Sequence, residues 1–338
     1  MLGIGHLRRR SLLLAGIIAF STQLFSGLLS ETTAAPPPAK RLSDVDLREG
    51  YVESEEGVRI HYVEAGSGPL MILVHGFADY WFSWRYQIPK WSEQYRVVAI
   101  DLRGYNLSSK PEGVWQYSVE KTVNDLNAVL AHFDARTAVV VGHDWGGFLA
   151  WEYAMRYPRR VDKLVVLNSP HPRAIMREVA ENSDAESVER TRASLSSDEA
   201  LLTWTPRRLA SWVRDPLARE QYIEAFQRSS VEGMLNHYRA NYSSTSGTAE
   251  FRRTQRTDEV KCPVLLIHGL KDDRVALKSL DGNWAWVKNE LSVVTLPRAG
   301  HFVHHDAADF LSQRVLRWLA PNPATASASN GATDIQRR

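Results

Sequence analysis

One aspartate of this chain is placed where a nucleophile could act. Asp144 lies in residues 142–147, Gly-His-Asp-Trp-Gly-Gly, directly after three consecutive valines and before an apolar segment with few helix breakers. Such a pattern predicts a buried strand, a tight turn and a helix, and the glycines remove Cβ atoms that would collide in the turn. The spacing Gly-x-nucleophile-x-Gly is that of a nucleophile elbow, with an aspartate where serine is usual.

An aspartate at this position restricts the chemistry. A serine alkylated at an sp³ carbon becomes an inert ether, whereas an alkylated aspartate is a carboxylic ester that water can cleave. The electrophiles that suit Asp144 are therefore epoxides and alkyl halides rather than ordinary esters. The alternative is that Asp144 only caps the helix that follows it. The strand, the glycines and the partner residues described next favour a nucleophile.

Two partner residues for Asp144 lie far along the chain. Asp272 follows an apolar segment that ends at residue 268, and His301 follows another at residues 291–296. Both come just after the carboxyl ends of predicted strands, where open parallel sheets collect their functional groups. The chain order nucleophile, acid, histidine is that of enzymes built on this elbow. Asp273 is an alternative acid, and the spacing from Gly269 favours Asp272.

The elements that must position these residues alternate between strands and helices. We predict a hairpin over residues 51–64, strands at 70–74, 95–102, 139–141, 163–167, 263–268 and 291–296, and helices at 118–133, 148–156, 279–289 and 307–319. This alternation predicts an α/β fold with a mostly parallel sheet covered by helices on both faces. Residues 169–256 have helical character and no long β-branched run, which predicts an inserted helical cap.

The two ends of the chain differ from this core. Residues 1–40 carry arginines at 8–10, then an apolar run, small residues and three prolines, the order of an export signal. Residues 9–13, Arg-Arg-Ser-Leu-Leu, resemble a twin-arginine signal. An uncleaved membrane anchor and a misassigned start codon are the alternatives. We expect the folded part to be exported, to the periplasm or outside the cell, and any membrane association to come from this segment alone.

The remaining chain divides into core and cap. We predict that residues 41–168 and 257–320 form the two parts of the core, residues 169–256 the cap, and residues 321–338 a disordered tail.

The 41 basic and 39 acidic residues are nearly balanced, so no nucleic-acid partner is predicted. The single cysteine excludes an internal disulfide and a cysteine-based zinc site.

A histidine cluster near the end of the core raises the question of a metal. His301, His304 and His305 have the spacing i, i+3 and i+4, which can present two ligands on one helical face. No acidic or cysteine ligand stands at a matching position. We therefore predict no metal and no cofactor, with His304 and His305 exposed at the start of a helix.

Taken together, these motifs resemble the α/β-hydrolase fold in its soluble epoxide hydrolase branch, whose aspartate elbow is shared with haloalkane dehalogenases. The likeness covers about residues 51–319. It rests on five short motifs: His-Gly-Phe at 75–77, Asp-Leu-Arg-Gly-Tyr at 101–105, Gly-His-Asp-Trp-Gly-Gly at 142–147, Gly-Leu-Lys-Asp at 269–272 and Gly-His-Phe at 300–302.

The resemblance implies a two-step hydrolysis of a small apolar epoxide by water, without a cofactor. Asp144 would attack a ring carbon and form an ester. His301, oriented by Asp272, would then activate the water that cleaves this ester.

The resemblance also implies roles for three further residues. Backbone N–H groups of Phe77 and Trp145 would hold the oxyanion of the second step. Tyr238, in the cap, would donate a proton to the epoxide oxygen.

Three positions depart from the family pattern. A first cap tyrosine is missing, because no tyrosine stands between Glu181 and Leu202. Ala78 replaces the proline that usually follows His-Gly-x, and Asn106 replaces a glycine.

Two other functions therefore remain as alternatives. One is a haloalkane dehalogenase, in which the Trp145 indole would bind the departing halide, although Phe77 stands where many dehalogenases offer an amide. The other is a binding protein that has kept the pocket and lost the activity.

Overall fold

The computed structural model describes residues 41–182, 199–241 and 259–321. The predicted leader at residues 1–40 and nearly all of the predicted tail lie outside this range. Eight strands form the sheet: β1 (Arg48–Glu53), β2 (Arg59–Ala65), β3 (Leu70–Val74), β4 (Arg96–Ile100), β5 (Ala138–His143), β6 (Val161–Leu167), β7 (Val264–Gly269) and β8 (Leu291–Leu296).

These strands form one sheet in the order β1-β2-β4-β3-β5-β6-β7-β8. The pairs β1–β2 and β2–β4 are antiparallel. All other pairs are parallel. Strands β3, β5 and β7 are buried along their whole length, as expected for parallel strands covered on both faces. The predicted α/β fold with a mostly parallel sheet is confirmed.

Ten α-helices lie within the described residues. They are α1 (Ile88–Trp91), α2 (Val119–His132), α3 (Trp145–Arg156), α4 (Pro172–Asn182), α5 (Glu199–Thr203), α6 (Pro206–Leu209), α7 (Pro216–Arg228), α8 (Val231–Asn241), α9 (Val303–Asp306) and α10 (Ala308–Leu319). None of these helices combines the length and the apolar character that crossing a membrane requires.

Helices cover both faces of the sheet. Alternate side chains of β5 point to opposite faces, so that Val140 packs with residues of α2 and α3, whereas Val139 and Val141 pack with residues of α1 and α10. Helices α4 to α8 all lie between β6 and β7 in the chain. We call this helical insertion the cap.

The helix predicted over residues 279–289 is wrong. The structure has two short 3-10 turns there, Leu277–Leu280 and Asn283–Trp286. Gly282 between them adopts a left-handed backbone with φ of 68°. The side-chain amide of Asn283 then donates to the carbonyls of Ser279 and Leu280, at 2.7 and 2.8 Å. This amide satisfies carbonyl groups that a continuous helix would have bonded to its own backbone.

Candidate active site

Asp144 occupies a strained turn between β5 and α3. Its φ of 51° and ψ of −120° are unusual for a residue with a Cβ. Asp144 is the N-cap residue of α3, yet its side chain makes no capping hydrogen bond. Instead, Oδ1 accepts a hydrogen bond of 2.9 Å from the backbone N–H of Phe77. The side chain therefore projects across the end of the sheet rather than toward its own helix.

The loop after β3 approaches Asp144 closely because it contains a glycine. A Cβ on Gly76 would lie 2.6 Å from both Cβ and Oδ1 of Asp144. Any larger residue at position 76 would push the loop away and break the contact between the Phe77 amide and the carboxylate. The motif His-Gly-Phe thus places one fixed N–H donor on the nucleophile.

His301 joins Asp144 to Asp272. Its Nε2 lies 3.4 Å from Oδ2 of Asp144, and its Nδ1 lies 3.1 Å from both carboxylate oxygens of Asp272. The backbone of His301 is fixed as well, because Nε2 of His143 donates to its carbonyl at 2.9 Å. The structure therefore brings together the three side chains that the sequence assigns to nucleophile, base and acid.

Asp272 is held by several donors besides His301. The amide of Asn168 donates to Oδ2 at 2.6 Å, and the backbone N–H groups of Arg274 and Val275 donate to Oδ1 at 2.9 and 3.1 Å. Asp273 is exposed and its side chain takes no part in this arrangement. The geometry thus agrees with the choice of Asp272.

Asn168 is a site residue that the sequence analysis missed. It follows β6 directly, at the same edge of the sheet as Asp144 and Asp272, and it is fully buried. A polar residue just past a buried strand was the signal that could have found it.

The charges of the site are set by these contacts. Burial raises the pKa of Asp144, but its contact with His301 and the Phe77 N–H outweigh burial and hold the pKa below its usual value. Burial likewise raises the pKa of Asp272, and His301 with the backbone donors lowers it to about 2. Burial lowers the pKa of His301, yet the two carboxylates raise it to about 9. At neutral pH the nucleophile is therefore ionised and His301 is protonated.

Tyr238 lies on α8, in the cap. Its ring centre is 5.4 Å from that of Phe77 and 5.2 Å from that of Trp145. Trp204, also in the cap, contacts Phe77 edge-on with ring centres 5.4 Å apart. Tyr238 thus stands beside both residues whose backbones flank Asp144. The region in which the sequence lacks a first cap tyrosine falls mostly on residues 183–198, outside the described residues.

The indole of Trp145 is engaged inside the protein. Its Nε1–H donates to Nδ1 of His237 at 3.3 Å, and Nε2 of His237 donates to the carbonyl of Arg103 at 3.0 Å. Burial lowers the pKa of His237 to about 3, so this ring is neutral and its Nδ1 can accept. The Trp145 N–H is therefore already paired rather than offered to a substrate or leaving group.

The prediction that His304 and His305 are exposed is wrong. His304 is fully buried and His305 is partly buried, because α9 packs them against the segment that follows β3. We call residues 75–79 of this segment the oxyanion loop. Both Nε2 atoms lie near the hydroxyl of Ser83, at 2.6 and 3.1 Å, and this hydroxyl donates to Asp79 at 2.5 Å. Burial holds the pKa of His304 well below its usual value.

This cluster supplies the acidic ligand that the sequence analysis did not find. One ligand atom each from Asp79, His304 and His305 lies within 4.8 Å of the others. The Ser83 hydroxyl occupies the space between them, and the guanidinium of Arg85 lies 3.3 Å from Nδ1 of His305. A cation shared by all three would have to displace the hydroxyl and approach a positive charge. The residues fit a hydrogen-bonded network better than a metal centre.

Comparison with known proteins identifies the class to which this protein belongs. The profile of the alpha/beta hydrolase fold family matches residues 69–308, and the chain belongs to this family. It is an epoxide hydrolase-like member and a hydrolase.

Among its relatives, human epoxide hydrolase 4 is 31% identical over 315 residues, covering 84% of this chain and 82% of the relative. Epoxide hydrolase 1 of Caenorhabditis elegans is 30% identical over 278 residues, covering 78% of this chain and 68% of the relative. The crystal structure of Bacillus megaterium epoxide hydrolase in complex with an inhibitor has a TM-score of 0.72 at 30% identity, covering 80% of this chain and 99% of that one.

Proposed function

We propose that this hydrolase opens small apolar epoxides to vicinal diols through a covalent ester on Asp144. The observation that carries the proposal is the position of the Asp144 carboxylate, which lies between the Phe77 N–H at 2.9 Å and His301 at 3.4 Å. One carboxylate oxygen is held by a donor and the other faces the base. The names of the relatives support epoxides as the substrate class.

In the first step, the Asp144 carboxylate attacks a ring carbon of the epoxide. A carbon–oxygen bond forms to Oδ2 and the ring carbon–oxygen bond breaks, so that the electron pair moves to the epoxide oxygen. Tyr238 donates its phenolic proton to this oxygen and is reprotonated from solvent. Because Oδ1 is held by Phe77, it becomes the carbonyl oxygen of the ester.

The second step depends on a change in charge at His301. Once Asp144 is esterified, it no longer carries the negative charge that helps to keep His301 protonated. Asp272 alone then supports the charge, so the pKa of His301 falls, and the ring releases its proton to solvent and becomes able to accept another. His301 can then deprotonate a water molecule as it attacks Cγ of Asp144.

The second step also needs donors for the oxyanion that forms on Oδ1 of Asp144. The Phe77 N–H already bonds this oxygen in the free protein. We assign the other donor to the backbone N–H of Trp145, the first residue of α3. Collapse of the tetrahedral intermediate breaks the ester bond, and the departing alkoxide takes the proton from His301. The carboxylic acid that is left at Asp144 then gives its proton to His301, which restores the ion pair of the free protein.

The two alternatives have less support. A dehalogenase needs donors for a halide, whereas the Trp145 indole donates to His237 and Phe77 presents a ring. A binding protein needs no base, whereas His301 contacts both the nucleophile and a buried acid.

Product analysis with a panel of epoxides and matched haloalkanes tests the proposal. We expect diol from some epoxides and no halide release above the uncatalysed rate, with both reactions absent in Asp144→Ala. Halide release without diol would replace the epoxide assignment by dehalogenation. Absence of both products from the folded wild-type protein would favour the binding protein.

We also propose that residues 1–40 direct export through the twin-arginine route. Fusion of this segment to a folded reporter tests the proposal. Replacement of Arg9 and Arg10 by lysine is expected to keep the reporter in the cytoplasm. Export that is unchanged by this replacement would contradict the twin-arginine assignment.

A further inference from the structure

One cap side chain touches two loops of the active site at once. The Nε1–H of Trp212 donates to the carbonyl of Ala78 at 3.1 Å. The ring of Trp212 stacks on that of Phe302 with centres 3.5 Å apart and planes 4° from parallel. Ala78 follows Phe77, which holds the nucleophile, and Phe302 follows His301. Trp212 therefore connects the cap to the oxyanion loop and to the loop of the base.

The same stack reaches the loop of the acid. The guanidinium carbon of Arg274 lies over the Phe302 ring, 5.0 Å from its centre. Trp212 fills one face of this ring, so the guanidinium lies on the other face. The backbone N–H of Arg274 donates to Asp272 at 2.9 Å. Two neutral rings prefer not to stack directly face to face, because both faces are negative. A cation on the far face of the Phe302 ring makes its near face less negative and so favours the stack with Trp212.

Ala78 is the position at which such support matters. Its φ is 59°, a left-handed conformation that a residue with a Cβ rarely adopts. The Trp212 N–H fixes the orientation of the Ala78 carbonyl. The next residue, Asp79, accepts a second bond from the cap, because Tyr222 on α7 donates its hydroxyl at 2.8 Å. The cap thus holds two successive residues of the oxyanion loop.

We propose that Trp212 is a positioning residue that aligns the oxyanion loop with His301. The geometry of the catalytic residues then depends on how the cap packs against the core. Its indole N–H positions Ala78, and through it the Phe77 amide. Its ring positions Phe302, and through it His301. The kinetic test rests on the proposed epoxide hydrolysis, whereas the titration of His301 does not.

Two variants separate the two contacts of Trp212. Trp212→Phe keeps an aromatic ring against Phe302 and loses the N–H, whereas Trp212→Leu loses both. The control is Trp284→Phe, because Trp284 is 68% exposed. Thermal unfolding of all three variants shows how much of any effect is a general loss of stability.

The kinetic readouts are kcat and KM, together with the single-turnover rates of ester formation and of ester hydrolysis, which show the step that is slowed. We expect Trp212→Phe to lower kcat about tenfold with little change in KM, because one hydrogen bond that orders the oxyanion loop is lost. Trp212→Leu is expected to lower it further, and Trp284→Phe to behave as wild type. A wild-type kcat in both Trp212 variants, or a lowered Tm without a change in kcat, would overturn the proposal.

The activity-independent readout is the NMR titration of His301, assigned through the signal lost in His301→Gln. The titratable groups around His301 are Asp144, Asp272, His143, His268 and His304, and neither variant changes them. We expect the His301 titration to move toward ordinary histidine in Trp212→Leu and to stay in place in Trp212→Phe. If the wild type opens no epoxide, the proposed function fails, and an unchanged titration in Trp212→Leu then overturns this proposal separately.

Discussion

Nε2 of His301 lies 3.4 Å from Oδ2 of Asp144, so the base and the nucleophile form a largely buried ion pair in the free protein. This pair holds both groups in the charge state that suits the first step. The carboxylate is ionised and ready to attack, and the protonated histidine does not compete with it. The second step needs the opposite state of the histidine, which the loss of the carboxylate charge provides.

The first prediction concerns stability and pH. The pKa of His301 is about 9 in the folded protein, against an ordinary value of 6.5. Its proton therefore stabilises the fold fully below pH 6.5, and this stabilisation is lost as the pH rises through about 9. We expect the Tm difference between wild type and His301→Gln to shrink over this interval. Replacement of the exposed His132 by glutamine is the control, and a difference that does not change with pH would contradict the ion pair.

The second prediction concerns the pH dependence of ester hydrolysis. Because esterification neutralises Asp144, we expect the rate of this step to rise with pH through an apparent pKa well below the value of about 9 found for His301 in the free protein. Single-turnover experiments over a pH series measure it. A midpoint at or above the free-protein value would show that Asp144 does not control the charge of His301.

The third prediction concerns Tyr238. Tyr238→Phe is expected to slow ester formation by roughly 10²-fold or more, because the epoxide oxygen loses its proton donor, while hydrolysis of the formed ester changes little. Stopped-flow measurement of the two phases separates these effects. Tyr86→Phe serves as the matched control, since Tyr86 is 44% exposed. Ester formation at the wild-type rate in Tyr238→Phe would remove this residue from the mechanism.

The fourth prediction compares neighbouring aspartates. Asp272→Asn is expected to slow ester hydrolysis by about 10²-fold or more, because it no longer orients His301 or supports its charge. Asp273→Asn should behave as wild type, since that side chain is exposed and does not contact His301. The two variants differ by one position and carry the same chemical change. Equal losses in both would show that the effect comes from the loop rather than from the contact with His301.

Much of the fold and of the central site could be predicted from the sequence. Short apolar segments separated by helical patterns define most of the sheet, and Asp144, Asp272 and His301 each follow such a segment. Because parallel strands end at one edge, residues that follow different strands meet there without any local signal between them.

What could not be predicted depends on packing between distant segments. Trp212 and Ala78 are 134 positions apart, and no periodicity links a cap tryptophan to a core loop. His304 looks like an exposed polar residue, but Ser83, 221 positions away, pairs with it and allows its burial. The false helix at residues 279–289 has a local cause instead, because the Asn283 side chain competes for the backbone carbonyls of Ser279 and Leu280.

The most direct test of the account is the mass of His301→Gln after exposure to the epoxide panel. Without the base, the ester should accumulate, and the peptide that contains Asp144 should gain the full mass of the ring-opened epoxide. Asp144→Ala, treated in the same way, should gain nothing. An unmodified Asp144 peptide in a variant that has lost turnover of an epoxide hydrolysed by the wild type would contradict the covalent mechanism.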